Sequence, residues 1–140
     1  MTTAIDTNVL VSLWGSEPRL SETARIALDS AMEEGPLVVS APVFAELMAA
    51  PGTTEDVLAE FCSTMGVEIE WQIGEEVWRE AGRAYGSYAR RRRRSGDTHP
   101  RRILADFLIG AHALVNEYAL LTMDKSLYRT AFPLLQLVTL

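Results

Sequence analysis

One cysteine, Cys62, stands in 140 residues. No internal disulfide can form, and the helix-like apolar neighbours of Cys62 give a packed, inert thiol. No Pro-, Gly- or Ser-rich stretch divides the chain and no internal repeat is visible, so neither a linker nor disorder is indicated. No apolar run approaches the roughly 18 residues that a membrane span requires. Asp6 also arrives before any leader segment could begin, which predicts a cytoplasmic protein with no membrane contact. The two histidines, His99 and His112, lie in unrelated contexts, which argues against a structural zinc site.

What is present is enough for one compact core. Apolar residues make up 48% of the chain and charged residues 23%, and a single domain over residues 1–140 is expected. A chain of this length buries roughly two-thirds of its unfolded surface. The net charge of −6 argues at first sight against a polyanionic partner. The distribution reverses that judgement. From Arg79 to Arg102, nine arginines face only Glu80 and Asp97, a local +7 that leaves −13 for the rest of the molecule.

Strand and helix signals alternate along the chain. Thr2 to Ile5 suits a short strand, with Thr7 or Asn8 capping the helix implied by Val9, Leu10 and Leu13. Leu20, Ala24, Ala27, Leu28 and Ala31 recur at helical spacing until Gly35-Pro36. Leu37 to Val39 reads as a buried strand, Ser40 as the cap of the next helix, and Pro42 as its first turn, with Glu46 one turn inside. Val57, Leu58, Phe61 and Met65 mark another helix, before a weaker strand at Val67 to Ile69. Val77, Ala81, Ala84, Tyr85 and Tyr88 form a stripe that runs into the arginines.

The clearest amphipathic pattern is Ile103, Leu104, Phe107, Leu108, Ala111, Leu114 and Val115, after Pro100 and a basic turn. Asp106 falls in its first turn, sharing a flank with Gly110 and Ala113, whose small size should leave room beside the carboxylate. Ala119 to Leu121 is a further buried strand ending at Thr122, and Leu135 to Val138 a last one. The alternation predicts an α/β fold with a central, mainly parallel sheet of about four to five short strands flanked by helices.

Asp6, Glu46, Asp106 and Asp124 are far apart in sequence, yet each falls where a strand ends or a helix begins. In a parallel sheet those junctions gather at one edge, where ligands bind. Ionised carboxylates within about 4 Å of one another cost on the order of 4 kcal/mol per pair at an effective dielectric near 20. Protons or a divalent cation must offset this, and an all-oxygen set suits Mg²⁺ or Mn²⁺. Such a cation can acidify water and accept charge from a phosphate oxygen, as phosphodiester hydrolysis requires. Each acid alone also has a plainer role, as helix cap, surface glutamate, dipole partner or turn residue. Their joint placement carries the inference.

The segments Ile5-Asp6-Thr7-Asn8-Val9-Leu10, Val43-Phe44-Ala45-Glu46-Leu47, Asp106 through Ala113, and Leu121-Thr122-Met123-Asp124 together resemble PIN-domain ribonucleases, in particular the VapC-type toxins of bacterial toxin-antitoxin pairs. The resemblance spans essentially the whole chain and implies a PIN-like fold. It further implies that Asp6, Glu46, Asp106 and Asp124 hold Mg²⁺ or Mn²⁺ and position water on RNA, with Asn8 and Thr122 as polar supports. It also implies a cognate antitoxin partner and a homodimer.

Five consecutive arginines, Arg90 to Arg94, cannot share one helix face, because successive residues rotate by about 100°. A helix end running into a mobile turn through Ser95-Gly96-Asp97 is expected. Arg93, Arg94, Arg101 and Arg102 are candidates for gripping RNA phosphates, against the plainer reading of a solvated loop or an antitoxin contact. Trp14, Trp71 and Trp78 are expected in the core rather than stacked on bases, and His112 as a packed or hydrogen-bonded residue.

Two other functions remain open at this stage. One is a housekeeping RNA-processing nuclease, and the other a catalytically silent module that binds RNA or a partner. Phosphatases of the haloacid dehalogenase type carry a second Asp where Asn8 stands, and receiver domains carry adjacent acids that Asp6-Thr7 lacks.

Overall fold

A computed structural model describes residues 1–96 and 101–140. Three sequence expectations, the Asp97 end of the basic turn, His99, and Pro100 ahead of the acid-bearing helix, lie outside the described residues.

Among the described residues, five strands, β1 (Thr3–Ile5), β2 (Leu37–Ser40), β3 (Val67–Glu70), β4 (Ala119–Thr122) and β5 (Leu137–Thr139), form one sheet in the order β3-β2-β1-β4-β5. Every pairing is parallel, with Ala4 of β1 opposite Val38 on one side and Leu120 on the other. All residues of β1, β2 and β4 are buried, as expected of strands covered on both faces by helices. The chain winds outward from β1 through β2 to β3, then returns to place β4 on the opposite side of β1. The direction of winding therefore reverses between β1 and β4, the position at which open α/β sheets form their crevice.

Among the described residues, seven helices connect the strands: α1 (Thr7–Trp14), α2 (Pro18–Glu34), α3 (Ala41–Leu47), α4 (Glu55–Met65), α5 (Gly74–Ser95), α6 (Leu104–Val115) and α7 (Lys125–Ala131). The stretch from Phe107 to Ala113 in α6 is buried without interruption. This helix is therefore central rather than amphipathic, since a helix apolar all round must be covered all round. Ile103 and Leu104, expected on its buried stripe, are instead exposed at its start.

Other expectations shift for local reasons. Ser40 occupies the cap position of α3 but its hydroxyl makes no cap hydrogen bond, and Pro42 in the first turn lightens the need for one. Helix α5 continues through all five arginines and closes at Gly96, whose φ of 63° is the left-handed turn that glycine adopts at little cost. Trp14, Trp71 and Trp78 are not core residues: they are 37%, 58% and 52% exposed. Two of them rest an edge on the protein, Trp14 on Phe61 and Trp71 on Phe44.

Two interior residues match their sequence reading. Cys62 is buried, and burial raises its thiol pKa. Nε2 of His112 lies 2.7 Å from Oε1 of Glu70, whose other oxygen accepts from the Tyr118 hydroxyl at 2.8 Å. No described helix is long and apolar enough to cross a membrane.

Candidate acidic site at the sheet edge

The four acids arrive at one edge of the sheet by four different routes. Asp6 follows β1, Asp124 follows β4 by two residues, Glu46 lies in the helix that follows β2, and Asp106 occupies the first turn of α6.

Asp6 is the buried centre of a polar chain. It caps α1 itself: Oδ1 accepts from the Thr7 backbone N–H at 2.8 Å, while Oδ2 accepts from the Thr122 hydroxyl at 2.7 Å. Neither Thr7 nor Asn8, the capping residues expected from sequence, is free for that role. The Thr7 hydroxyl donates to Oε1 of Glu46 at 2.6 Å, and the Asn8 side-chain oxygen accepts from the Met123 backbone N–H at 3.2 Å. Thr122 in turn accepts from the Asp124 N–H at 2.9 Å. A hydrogen-bonded path thus links Glu46, Thr7, Asp6, Thr122 and Asp124.

Asp106 accepts from the Ile103 N–H at 3.3 Å. Asp124 caps α7, accepting from the Leu127 N–H at 3.3 Å through Oδ1, and its Oδ2 pairs with Nη1 of Arg102 at 2.6 Å. The sequence reading had no helix after Asp124. At seven residues, with Leu127 and Tyr128 as its buried pair, α7 is too short to show a periodicity.

Charge in this cluster is coupled. Burial pushes the Asp6 carboxyl up to about 6, with the Asp106 charge adding to the rise, while the Thr122 hydrogen bond, the nearby Tyr128 hydroxyl and the Thr7 N–H oppose it. Burial also raises Asp106, and the charges of Glu46 and Asp124 add to it, while the Ile103 N–H and Arg102 oppose it. Asp106 therefore feels each of the other three acids.

Tyr128 is a site residue that sequence reasoning missed. Its side chain is fully buried, and burial with the charges of Asp6, Asp106 and Asp124 raises its phenol strongly. The hydroxyl lies near Asp6 but has no hydrogen-bond partner among the described residues. Only its spacing of four from both Asp124 and Phe132 would have drawn attention to it.

The room expected beside Asp106 is taken. A Cβ on Gly110 would stand 2.3 Å from Cε2 of Phe132, so the absence of a side chain there admits the ring of the residue just past α7 rather than a ligand.

Among the described residues no three His, Cys, Asp or Glu side chains are arranged to hold a metal ion as they stand. The donor chemistry nevertheless fits a hard cation. The groups are all carboxylates, two of them resist ionisation partly through the others' charge, and among the described residues the cation paired with them is Arg102.

The predicted RNA-contact arginines separate in space. Arg93 and Arg101 line a cleft of about 530 Å³ with Tyr85 and Tyr88, and Arg94 is exposed outside that lining. Arg102 instead turns to Asp124.

Comparison with known proteins agrees with this architecture. Over 99% of the chain, the fold is similar to VapBC-1 of nontypeable Haemophilus influenzae, at 21% identity, a TM-score of 0.64 and 98% coverage of that chain. It is also similar to VapBC2 of Rickettsia felis, solved with a DNA fragment from its promoter, at 18% identity, a TM-score of 0.61 and coverage of 99% of this chain and 98% of that one. A third similar structure is a toxin-antitoxin complex from Klebsiella pneumoniae, at 18% identity, a TM-score of 0.59 and coverage of 98% and 96%. No curated protein matches the sequence. The PIN domain model matches residues 3–133, and with Asp6, Glu46, Asp106 and Asp124 at the carboxyl edge of its parallel sheet, the chain belongs to the PIN domain family.

Proposed function

We propose that the chain is a single nuclease domain over residues 1–140, a cytoplasmic endoribonuclease that depends on Mg²⁺ or Mn²⁺ and hydrolyses RNA phosphodiester bonds. The observation that carries this reading is the electrostatic coupling of Asp106 to Asp6, Glu46 and Asp124 at the point where the sheet reverses its winding. Acids whose charges help to raise the pKa of Asp6 and Asp106 are poised to gain from a divalent cation.

In this reading Asp6, Glu46, Asp106 and Asp124 would hold the cation. A hard cation, when bound, supplies positive charge against a phosphate oxygen and acidifies water. The chain's own polar groups pre-arrange the acids. Thr122 and the Thr7 N–H fix both oxygens of Asp6, the Thr7 hydroxyl orients Glu46, and Asn8 ties down the Met123 backbone just before Asp124. Side-chain supports of this kind are what hold a metal-binding carboxylate in place.

We further infer that the protein is the toxin of a VapBC-type pair, with a cognate antitoxin and a homodimeric state. Support comes from its similarity in fold to VapBC assemblies and to a toxin-antitoxin complex. An acidic protein with a net charge of −6 also suits a basic partner.

The test is cleavage of a labelled RNA by the purified protein with Mg²⁺, with EDTA, and with Asp6→Asn or Asp106→Asn in place. Cutting that requires Mg²⁺ and vanishes in both variants is expected. Undiminished cutting by folded Asp6→Asn, or in EDTA, would overturn the proposal.

A further inference from the structure

The cleft beside the basic end of α5 takes no part in the acid chemistry, yet it is the most clearly chemical surface outside it. Tyr85 and Arg93 lie eight apart and Tyr88 and Arg92 four apart, so they form one stripe of the helix that faces the cleft. Of the five consecutive arginines, only Arg92 and Arg93 line it, and Arg101 lines it as well. Arg90 and Arg91 are exposed elsewhere on the helix.

An aromatic platform borders the cleft. The rings of Tyr85 and Tyr88 stack with centroids 6.3 Å apart and 15° between their planes. Both pack against Phe107 of the buried helix, at 4.9 and 5.4 Å, so the platform is anchored in the core. Tyr88 also joins the cleft to the acids. Its hydroxyl accepts the Arg102 backbone N–H at 2.8 Å, and the guanidinium of that same residue reaches Asp124.

Arginines alone would suit any anion. A flat aromatic platform beside them, in a chain whose other surfaces are acidic overall, selects a ligand with both a π-face and a phosphate. An acidic peptide leaves the tyrosines unused. A duplex keeps its bases stacked on one another and cannot offer one to them.

We propose that this cleft seats one unpaired nucleotide of an RNA strand, its base against Tyr85 and Tyr88 and its phosphate between Arg93 and Arg101. The strand then passes Arg102 on its way to the acidic site. That the strand is RNA rests on the ribonuclease reading; that it is single-stranded rests on the cleft itself.

The experiment measures fluorescence anisotropy of a labelled oligoribonucleotide with the full-length protein in EDTA, so that binding is read without cleavage. The strand is compared with its own duplex across a salt series. Arg93→Ser/Arg101→Ser should weaken binding of the strand about tenfold and reduce the slope against log salt by roughly 0.7, the value for one single-strand phosphate contact. Arg90→Ser/Arg91→Ser removes the same charge away from the cleft and should change little. Tyr85→Leu should weaken strand binding roughly tenfold with the salt slope intact, since it removes stacking rather than charge. Because Tyr85 also packs on Phe107, its melting curve is checked, and the exposed arginine pair carries the test if that variant fails to fold.

Equal weakening by the two arginine doubles would overturn the proposal, because it would show diffuse attraction. So would a duplex that binds as tightly as the strand, or a cleft double that loses an acidic peptide but keeps RNA. Strand binding through the cleft without Mg²⁺-dependent cleavage would sink the nuclease reading and leave the cleft standing. Cleavage with a cleft double that binds normally would do the reverse.

Discussion

Nη1 of Arg102 lies 2.6 Å from Oδ2 of Asp124, so one acid of the cluster meets a cation that the chain itself supplies. Both side chains are partly exposed, at 38% and 26%, which limits the stabilising value of the pair to under about 1 kcal/mol. On the proposed reading its consequence is competition rather than stability, because a divalent cation held by the four acids would share Asp124 with the guanidinium. In Arg102→Ala the backbone N–H that bonds Tyr88 is kept and only the competitor is lost. Mn²⁺ affinity, read by electron paramagnetic resonance of the free ion, is expected to rise several-fold while the melting temperature stays nearly constant. Weaker Mn²⁺ binding in a folded Arg102→Ala would show instead that the guanidinium orients Asp124 for the metal.

The acid cluster makes stability of the metal-free protein fall as pH rises. The folded Asp6 carboxyl is pushed up to about 6 from its ordinary value of 3.8, so between those values the native state holds a proton that the unfolded chain has released. Stability therefore declines across that window, by roughly 3 kcal/mol at most from Asp6, and Asp106 shifts in the same direction. Thermal melting in EDTA should give a higher midpoint at pH 5 than at pH 7.5. Asp6→Asn should flatten the slope and melt above wild type at pH 7.5. A wild-type midpoint that rises over this range would mean that Asp6 titrates normally.

Asp6 and Asp124 were legible in sequence because each follows an apolar strand and precedes a helix, while Glu46 and Asp106 were legible as acids inside helices with strong apolar signals. Parallel alternation supplies the rest, since it forces those boundaries to one edge. What failed to show was whatever depends on side chains meeting across elements. Helix α7 has too few apolar residues to declare a period, so Tyr128 and Phe132 went unseen beside Asp6 and Gly110. Ile103 and Leu104 matched a buried stripe but precede the point where α6 enters the core. The exposure of Trp71 and Trp78 follows from their place just after the edge strand β3 and near the start of α5, which no count of apolar residues reveals.

Tyr128 isolates the effect of one hydroxyl. The group is buried without a good hydrogen bond, so Tyr128→Phe removes an unsatisfied polar atom and keeps the ring. Its melting temperature in EDTA at pH 5 should equal or exceed that of wild type. At the site the effect is opposite, because the phenol helps to hold the Asp6 carboxyl down. The stability decline described above should therefore extend to lower stability at pH 7.5 relative to pH 5 than in wild type. A uniform loss of stability at both pH values would mark Tyr128 as a packing residue only.

Gly110 is the tightest point of the fold near the site, and two effects of opposite sign meet there. Gly110→Ala gains helix propensity worth about 1 kcal/mol in the middle of α6. The new methyl would stand 2.3 Å from Cε2 and 2.6 Å from Cδ2 of Phe132, distances that require the ring to move. Phe132 is itself buried and stacked on Tyr128, so it cannot swing into solvent. Overpacking of this kind costs typically 1–3 kcal/mol, which outweighs the propensity gain at the upper end of that range. A net loss of roughly 1–2 kcal/mol lowers the melting temperature of a chain this size by about 3–8 °C. Phe132→Leu added to Gly110→Ala should return part of the loss, because the smaller side chain gives the methyl its space. Without that partial rescue, the clash would be relieved elsewhere, and Phe132 would not be what requires a glycine at position 110.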